Sequence, residues 1–255
     1  KLSSSIKIIS NFAVGFGNID IVAAKKKNII VTNTPDVLTD ATAEIAILIL
    51  LGAARRAKEG IEWTNTKNWK WSADFLMGKQ LTGARLGILG MGRIGRAVAN
   101  IARSLGMIIH YHNRSQLDKN LEKGAIFHNS LESLLSVSNF FSINCPATKE
   151  TKNIINKKTL NYFPDGAVLS NSARGDMIED NAMVEALKNG KIYSLGIDVY
   201  NGEPDIHPEY LTLPNVFVLP HLGSATIDTR TAMGNLAVSN LAEFFKNGKC
   251  KNTVN

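Results

Sequence analysis

The sequence predicts an α/β protein built on a doubly wound parallel sheet, and three observations carry that prediction. From Ala84 onward, short apolar runs alternate with amphipathic stretches, the pattern of strands joined by crossover helices. One strand-to-helix junction reads Gly90-Met91-Gly92-Arg93-Ile94-Gly95, the G-x-G-x-x-G spacing of a phosphate-binding turn. Three later strand ends are followed by Arg174, Glu203 and His221, and a sheet of this kind delivers such groups to one crevice.

Taken in order, Ile6 to Ile9 and Ile29 to Thr32 read as strands on either side of a helix over Ile19 to Lys27. Pro35 interrupts the chain. Asp40 is placed as the N-cap of a long helix from Ala41 to about Lys58, with Arg55, Arg56 and Lys58 at the end where the helix dipole favours cations. Its middle is apolar on nearly every face, so it is expected to be buried, between two lobes. Trp63 to Lys79 is irregular and holds all three tryptophans. Beyond it, strands are expected over Arg85–Leu89, Met107–Tyr111, Phe140–Asn144, Ala167–Asn171, Tyr193–Val199 and Val216–Leu219. Helices are expected over Ile94–Leu105, Leu131–Leu135 and Asn181–Asn189, with a long closing helix over Thr226–Phe245.

Bulk properties narrow the function. A chain of 255 residues, 44% hydrophobic and 20% charged, supports a substantial core in one or two domains. The longest apolar run, Ile45 to Leu51, is far short of the roughly 18 residues of a membrane span. No signal peptide is read at the start. Cys145 and Cys250 are too few for a disulfide framework, which points to the cytoplasm. The net charge of +7 comes without a basic block or aromatic-interleaved stripe, so neither nucleic acid nor membrane is an expected partner.

The glycine motif has the context that gives it meaning, since it follows an apolar strand and opens an amphipathic helix. Gly90 permits the tight turn, Gly92 lets a pyrophosphate approach the backbone, and Gly95 lets helix and strand pack closely. Arg93 and Ile94 lie in the helix's first turn, whose amides and dipole favour an anion. The next strand ends in Asn113, Arg114 and Ser115, with no Asp or Glu to take a ribose 2′-hydroxyl. Arg114 and Ser115 suit a 2′-phosphate, which favours NADP over NAD, unless Arg114 is only a solvated loop residue.

The other strand ends read as carbonyl chemistry. Reduction of a keto acid needs an anchor for the carboxylate, a group to polarise the carbonyl, and a proton for the developing alkoxide. The planar fork of Arg174 can serve the first two needs. His221 can give the proton as general acid, and Glu203 can bond the other ring nitrogen, orient it and favour the protonated form. Each has a bland alternative, as an ion-pair partner, a turn residue and a loop histidine respectively. Their recurrence at successive strand ends favours the catalytic reading.

The glycine motif together with "NSARG", "GIDVYNGEP" and "LPHLGSAT" resembles the D-isomer-specific 2-hydroxyacid dehydrogenase family over essentially the whole chain. "HYHNRS", "NCPAT" and "PHLGSAT" resemble its glyoxylate/hydroxypyruvate reductase (D-glycerate dehydrogenase) branch. The resemblance implies a catalytic triad of Arg174, Glu203 and His221. It gives Asp198 the nicotinamide carboxamide, and lines the cofactor pocket with Cys145, Pro146, Ser172, Ala173 and Gly223. The alternative for Cys145 is simple packing, with its backbone rather than its thiol facing the nucleotide. Ala13-Val14-Gly15-Phe16-Gly17 resembles the family's substrate loop, in which the amides of Val14 and Gly15 bind the substrate carboxylate. An ordinary strand-to-helix turn is the alternative there.

The resemblance also implies a flavodoxin-like substrate domain at the start, of which the chain is expected to lack one or two βα units of roughly 30 residues each. The remnant is placed at residues 1–38 and 226–255, and the dinucleotide-binding domain at 39–225. No regulatory extension is read after the closing helix. The expected function is reduction of glyoxylate or hydroxypyruvate by NADPH, with 2-ketogluconate or another 2-keto acid as the alternative substrate. An alternative of another class is a dinucleotide-sensing, corepressor-like protein, which would need no acid–base pair. A homodimer is expected by resemblance, with the Trp63 to Phe75 segment as its arm or, equally, as core. No metal site is expected.

Overall fold

The computed structural model describes residues 5–255, which divide into two compact units, one running to Ala41 and resuming over Ser224–Asn255, the other Thr42–Gly223. In the first unit, β1 (Ile8–Ser10) and β2 (Ile30–Thr32) pair in parallel, with Ile8 opposite Ile30, through the helix α1 (Ile21–Lys26). Asp20 caps α1 by accepting from the Ala23 amide at 2.8 Å. Ala24, Ile29 and Val31 form a small core with Ile6, Ile9, Ile19, Ile21 and Val254 around them. Thr32 bridges to Thr253 of the chain's last segment.

The long helix expected from Ala41 is two helices, α2 (Thr39–Ala54) and α3 (Ala57–Thr66). Arg56 between them is left-handed, with φ of 56°, which ends the ladder of hydrogen bonds. Asp40 therefore lies inside the first turn of α2 and is not its cap. The basic cluster does not serve the α2 terminus either. Arg56 pairs with Glu59 at 2.6 and 2.8 Å, and Lys58 donates to the carbonyls of Leu211 and Leu213. The burial expected for the middle of α2 holds on one side, where Ala46, Ile47, Ile49, Leu50, Ala53 and Ala54 are buried, and not all round, since Leu48 is 47% exposed.

The second unit carries a seven-stranded, wholly parallel sheet. Its elements begin with β3 (Arg85–Leu89), α4 (Arg93–Ser104), β4 (Ile108–His112), α5 (Lys119–Glu122) and β5 (Ile126–His128). They continue with α6 (Leu131–Leu135), β6 (Phe140–Ile143), α7 (Lys157–Leu160) and β7 (Ala167–Asn171). After a 3-10 turn at Gly175–Met177 come α8 (Asp180–Lys188), β8 (Ile192–Ile197), α9 (Pro208–Thr212) and β9 (Val216–Val218). The closing helix α10 (Ile227–Asn247) lies in the first unit, capped by Thr226, which accepts from the Thr229 amide at 3.0 Å.

The strand order is β5-β4-β3-β6-β7-β8-β9, so the direction of winding reverses between β3 and β6, where a doubly wound sheet opens its ligand crevice. Period-two alternation sends successive side chains to opposite faces. Phe140 and Val168 join a core with α2 and α4, while Phe141, Ile143 and Leu169 join another with α6 and α8. Gly196 in β8 allows close packing of α2, because a Cβ there would lie 2.1 Å from the Ile49 carbonyl oxygen.

The elements α5, β5, α7 and α9 were not expected; each is three to five residues long, too short to display a period. The tryptophans are surface residues, with Trp71 81% exposed, and Trp63 and Trp69 both pack against Phe75. Among the described residues no helix is long and apolar enough to cross a membrane.

Candidate active site

The glycine turn sits at the winding reversal. Gly90 has φ of 93°, and a Cβ there would lie 2.5 Å from the Cys145 amide nitrogen. Only glycine therefore lets the β3–α4 turn rest on the chain leaving β6. A Cβ on Gly95 would meet the Gly90 carbonyl oxygen at 2.2 Å, whereas one on Gly92, the N-cap of α4, would meet open space. The front of the turn is thus clear while its back is packed, and the first-turn amides of Arg93, Ile94 and Gly95 lie at the positive end of a twelve-residue helix. These residues fit a dinucleotide pyrophosphate.

Asn113 shapes the same turn, its Oδ1 accepting from the Met91 amide at 2.7 Å. Arg114 and Ser115 follow, both exposed, and none of residues 108–117 is acidic. The Glu150 carboxyl is held below the usual carboxylate range by the Thr148 hydroxyl and its own amide, with the charge of Arg114 adding to both. The guanidinium thus acts on the loop after Cys145. The Cys145 thiol itself points into the core, 3.9 Å from the Met177 sulfur, and burial pushes it up to about 11. Its backbone, with that of Asn144, is what lies against Gly90, and Pro146 follows, exposed. Ser172 and Ala173 follow β7 and are half-buried.

On the other side of the reversal, Glu203 and His221 come together. The Glu203 Oε2 and His221 Nδ1 are 2.6 Å apart, and the Tyr200 amide donates to Glu203 Oε1 at 3.0 Å. With Nδ1 so engaged, the free ring nitrogen of His221 is Nε2. His221 has φ of 57°, a conformation that costs a non-glycine residue on the order of 1–3 kcal/mol and persists only when its surroundings impose it. Here Asp198 imposes it. Its two carboxylate oxygens accept from the amides of Leu222 and Gly223 at 2.7 and 2.8 Å. Burial pushes the Asp198 carboxyl above the usual aspartate range, with those amide bonds pulling it back. On the other flank, the Tyr200 hydroxyl donates to the Leu219 carbonyl at 2.6 Å. The family resemblance assigns Asp198 to the nicotinamide carboxamide and leaves Tyr200 without a role. Neither role in holding His221 has a sequence signal beyond position within a motif.

Arg174 is positioned by Asn171, whose Nδ2 donates to the Arg174 carbonyl and whose Oδ1 accepts from the Ala173 amide. The Arg174 guanidinium donates to the Ala173 carbonyl at 2.6 Å, and contact with Glu203 or His221 is not what holds it. What joins the two loops is backbone, since Gly175 lies against Tyr200 and Asn201. In the first unit, Val14 and Gly15 lie half-buried in the turn after β1. Among the described residues no group of three or more His, Cys, Asp or Glu is placed to hold a metal.

Residues 47–223 match the profile of the D-isomer specific 2-hydroxyacid dehydrogenase, NAD binding domain. The chain is 44% identical over 240 residues to the glycerate dehydrogenase of Hyphomicrobium methylovorum, covering 93% of this chain and 74% of that one. It is 44% identical over 255 residues to the glyoxylate reductase of Thermococcus kodakarensis, covering 98% and 76% respectively. Among solved structures, it resembles the NADPH-dependent glyoxylate/hydroxypyruvate reductase from Sinorhizobium meliloti in complex with NADP and malonate. That likeness has a TM-score of 0.91 at 34% identity, over 98% of this chain and 78% of the other.

Proposed function

The chain belongs to the D-isomer specific 2-hydroxyacid dehydrogenase family, and from that premise we propose that it reduces glyoxylate or hydroxypyruvate to the D-2-hydroxy acid, with NADPH as preferred donor. Family membership makes it an oxidoreductase acting on a CH–OH group with a nicotinamide dinucleotide. The observation that carries the finer reading is the 2.6 Å Glu203–His221 pair at the carboxyl ends of the sheet that bears the glycine turn.

The dinucleotide, when bound, supplies the hydride, and its pyrophosphate would be held by the Gly90–Gly95 turn. Arg174 binds the substrate carboxylate and polarises its carbonyl oxygen through charge-assisted hydrogen bonds. His221 gives a proton from Nε2 to that oxygen as the alkoxide develops, and takes it back in the reverse direction. Glu203, fixed by the Tyr200 amide, holds the Nδ1 proton and keeps the ring turned to its task. The amides of Val14 and Gly15 bind the substrate carboxylate. The small size of the substrate follows the names of the relatives.

The preference for NADPH rests on Arg114 and on the missing carboxylate at the end of β4. Initial rates with glyoxylate and hydroxypyruvate, each with NADPH and NADH, are expected to show turnover with NADPH preferred. Arg114→Ala is expected to raise the KM for NADPH about tenfold or more, the worth of a charge-assisted contact to phosphate, while sparing NADH. Turnover that favours NADH, or an Arg114→Ala chain that keeps its preference, sinks the assignment to NADP.

The exposed aromatic cluster of Trp63, Trp69 and Phe75, with Trp71 beside it in sequence, supports a homodimer built on this segment. Sedimentation at micromolar concentration should then give a dimer that Trp71→Glu weakens, and a monomeric wild-type chain would end the idea. The two free cysteines are consistent with a cytoplasmic location, and neither nucleic acid nor membrane enters the proposal.

A further inference from the structure

The loop proposed to take the 2′-phosphate is pinned at both ends by groups that the proposed chemistry does not use. Its near end is fixed by Asn113, which accepts from the Met91 amide at 2.7 Å. Its far end returns to the strand it left. The hydroxyl of Tyr111, the penultimate residue of β4, accepts from the Leu117 amide at 3.0 Å and donates to Glu122 Oε1 at 2.6 Å. Gln116 Nε2 donates to the same oxygen at 2.8 Å. Arg114 and Ser115 stand exposed between the two pins.

The far pin is itself held fast. Tyr111 is fully buried, its ring centroid 5.3 Å from that of Phe127, and the Leu117 side chain packs on the same core. Glu122 closes α5 with 8% of its surface exposed, and its carbonyl accepts from Arg103 Nη2 at 2.7 Å. Burial, and then the bond to Glu122, push the Tyr111 hydroxyl up to about 12. It therefore keeps its proton at neutral pH. A carboxylate can only accept, so that proton points to Glu122 and a hydroxyl lone pair is left for the Leu117 amide. One buried hydroxyl thus ties the end of the loop to a buried carboxylate.

We propose that Tyr111 and Glu122 are positioning residues that set the Arg114–Ser115 loop for a 2′-phosphate, and so help to decide the choice of NADPH over NADH. This rests on the reading that Arg114 meets that phosphate. Both residues act through Arg114. Without the far pin the loop takes many shapes, and the phosphate must order it on binding. NADH carries no 2′-phosphate and makes no use of that order, so the loss falls on one dinucleotide and not the other.

Titrations of NADPH and NADH, followed by nicotinamide fluorescence, compare the full chain with Tyr111→Phe, Glu122→Ala, Glu122→Gln and Arg114→Ala. Tyr111→Phe and Glu122→Ala are each expected to raise the NADPH Kd about tenfold and to leave the NADH Kd within about twofold. Glu122→Gln keeps an oxygen that can accept from both Tyr111 and Gln116, so its NADPH Kd should stay within about threefold of the wild type. In an Arg114→Ala background, Tyr111→Phe is expected to change the NADPH Kd by less than about twofold, since nothing is left to position. An undiminished effect there overturns the proposal. A parallel rise in both Kd values, the mark of a loosened fold, overturns it too. Should Tyr111→Phe not fold, Glu122→Ala against Glu122→Gln carries the same comparison. If Arg114→Ala abolishes the NADPH preference while the Tyr111 and Glu122 variants keep it, the phosphate reading stands and only the positioning role falls. If Arg114→Ala keeps the preference, the reading beneath falls as well.

Discussion

Replacing His221 by Asn is expected to lower keto-acid turnover about a thousandfold, the scale of a lost general acid, or roughly 4 kcal/mol on the barrier. Asparagine is the informative choice because of the backbone. At φ of 57° a residue such as alanine would relax away from the left-handed region, and the loss would mix chemistry with a moved loop. Asparagine enters that region readily. The Asp198 bonds that hold the turn go to the amides of Leu222 and Gly223, so they survive the substitution. What disappears is the ring that Glu203 orients at 2.6 Å. Dinucleotide affinity, read by fluorescence titration, should be unchanged. Turnover within tenfold of the wild-type rate would mean that His221 is not the acid, and that the Glu203 contact is a surface ion pair of small worth. The same variant separates catalysis from nucleotide sensing, because a sensor would keep all its function without the imidazole.

The sequence made the second unit legible in type and order because its central strands are buried on both faces and α4 carries a clear apolar stripe. Arg85–Leu89 and Ala167–Asn171 were expected at the bounds observed. The break at Arg56 was not, since nothing in Ala54-Arg55-Arg56-Ala57 marks a left-handed residue; no glycine or proline stands there. The edge strand Ile126–His128 escaped for another reason. It is three residues long with half-buried or exposed side chains, and its place comes from the pairing of His110 with Ile126 across the sheet. In the site, residue types announced Arg174, Glu203 and His221, since the chemistry demands a cation, a carboxylate and an imidazole. The residues that position them did not announce themselves. Asp198 works on amides 24 and 25 residues away, a distance at which spacing carries no signal.

Gly175→Ala is expected to cost about as much in function as any change outside the triad, although it adds a single methyl group. Its φ is not in the left-handed region, so the backbone itself accepts alanine, and space decides the outcome. A Cβ at Gly175 would lie 1.9 Å from the Tyr200 carbonyl carbon and 2.2 Å from both the Tyr200 oxygen and the Asn201 nitrogen. All three are backbone atoms, so no side chain can swing aside. The loop after β7 and the loop after β8 must part by more than 1 Å to reach an ordinary contact of about 3.5 Å. The first loop carries Arg174; the second carries Glu203, held through the amide of Tyr200, and Tyr200 also ties down Leu219, two residues before His221. Parting them moves the carboxylate anchor against the acid that must meet the same substrate. A displacement of that size costs about a hundredfold in turnover, and the overpacking costs about 1–3 kcal/mol of stability. The expected result is a folded chain with a lowered melting temperature, intact dinucleotide binding at Gly90–Gly95, and kcat/KM for the keto acid reduced about a hundredfold. A variant with wild-type kcat/KM would show that the two loops act independently and that the backbone contact at Gly175 has no part in aligning Arg174 with His221.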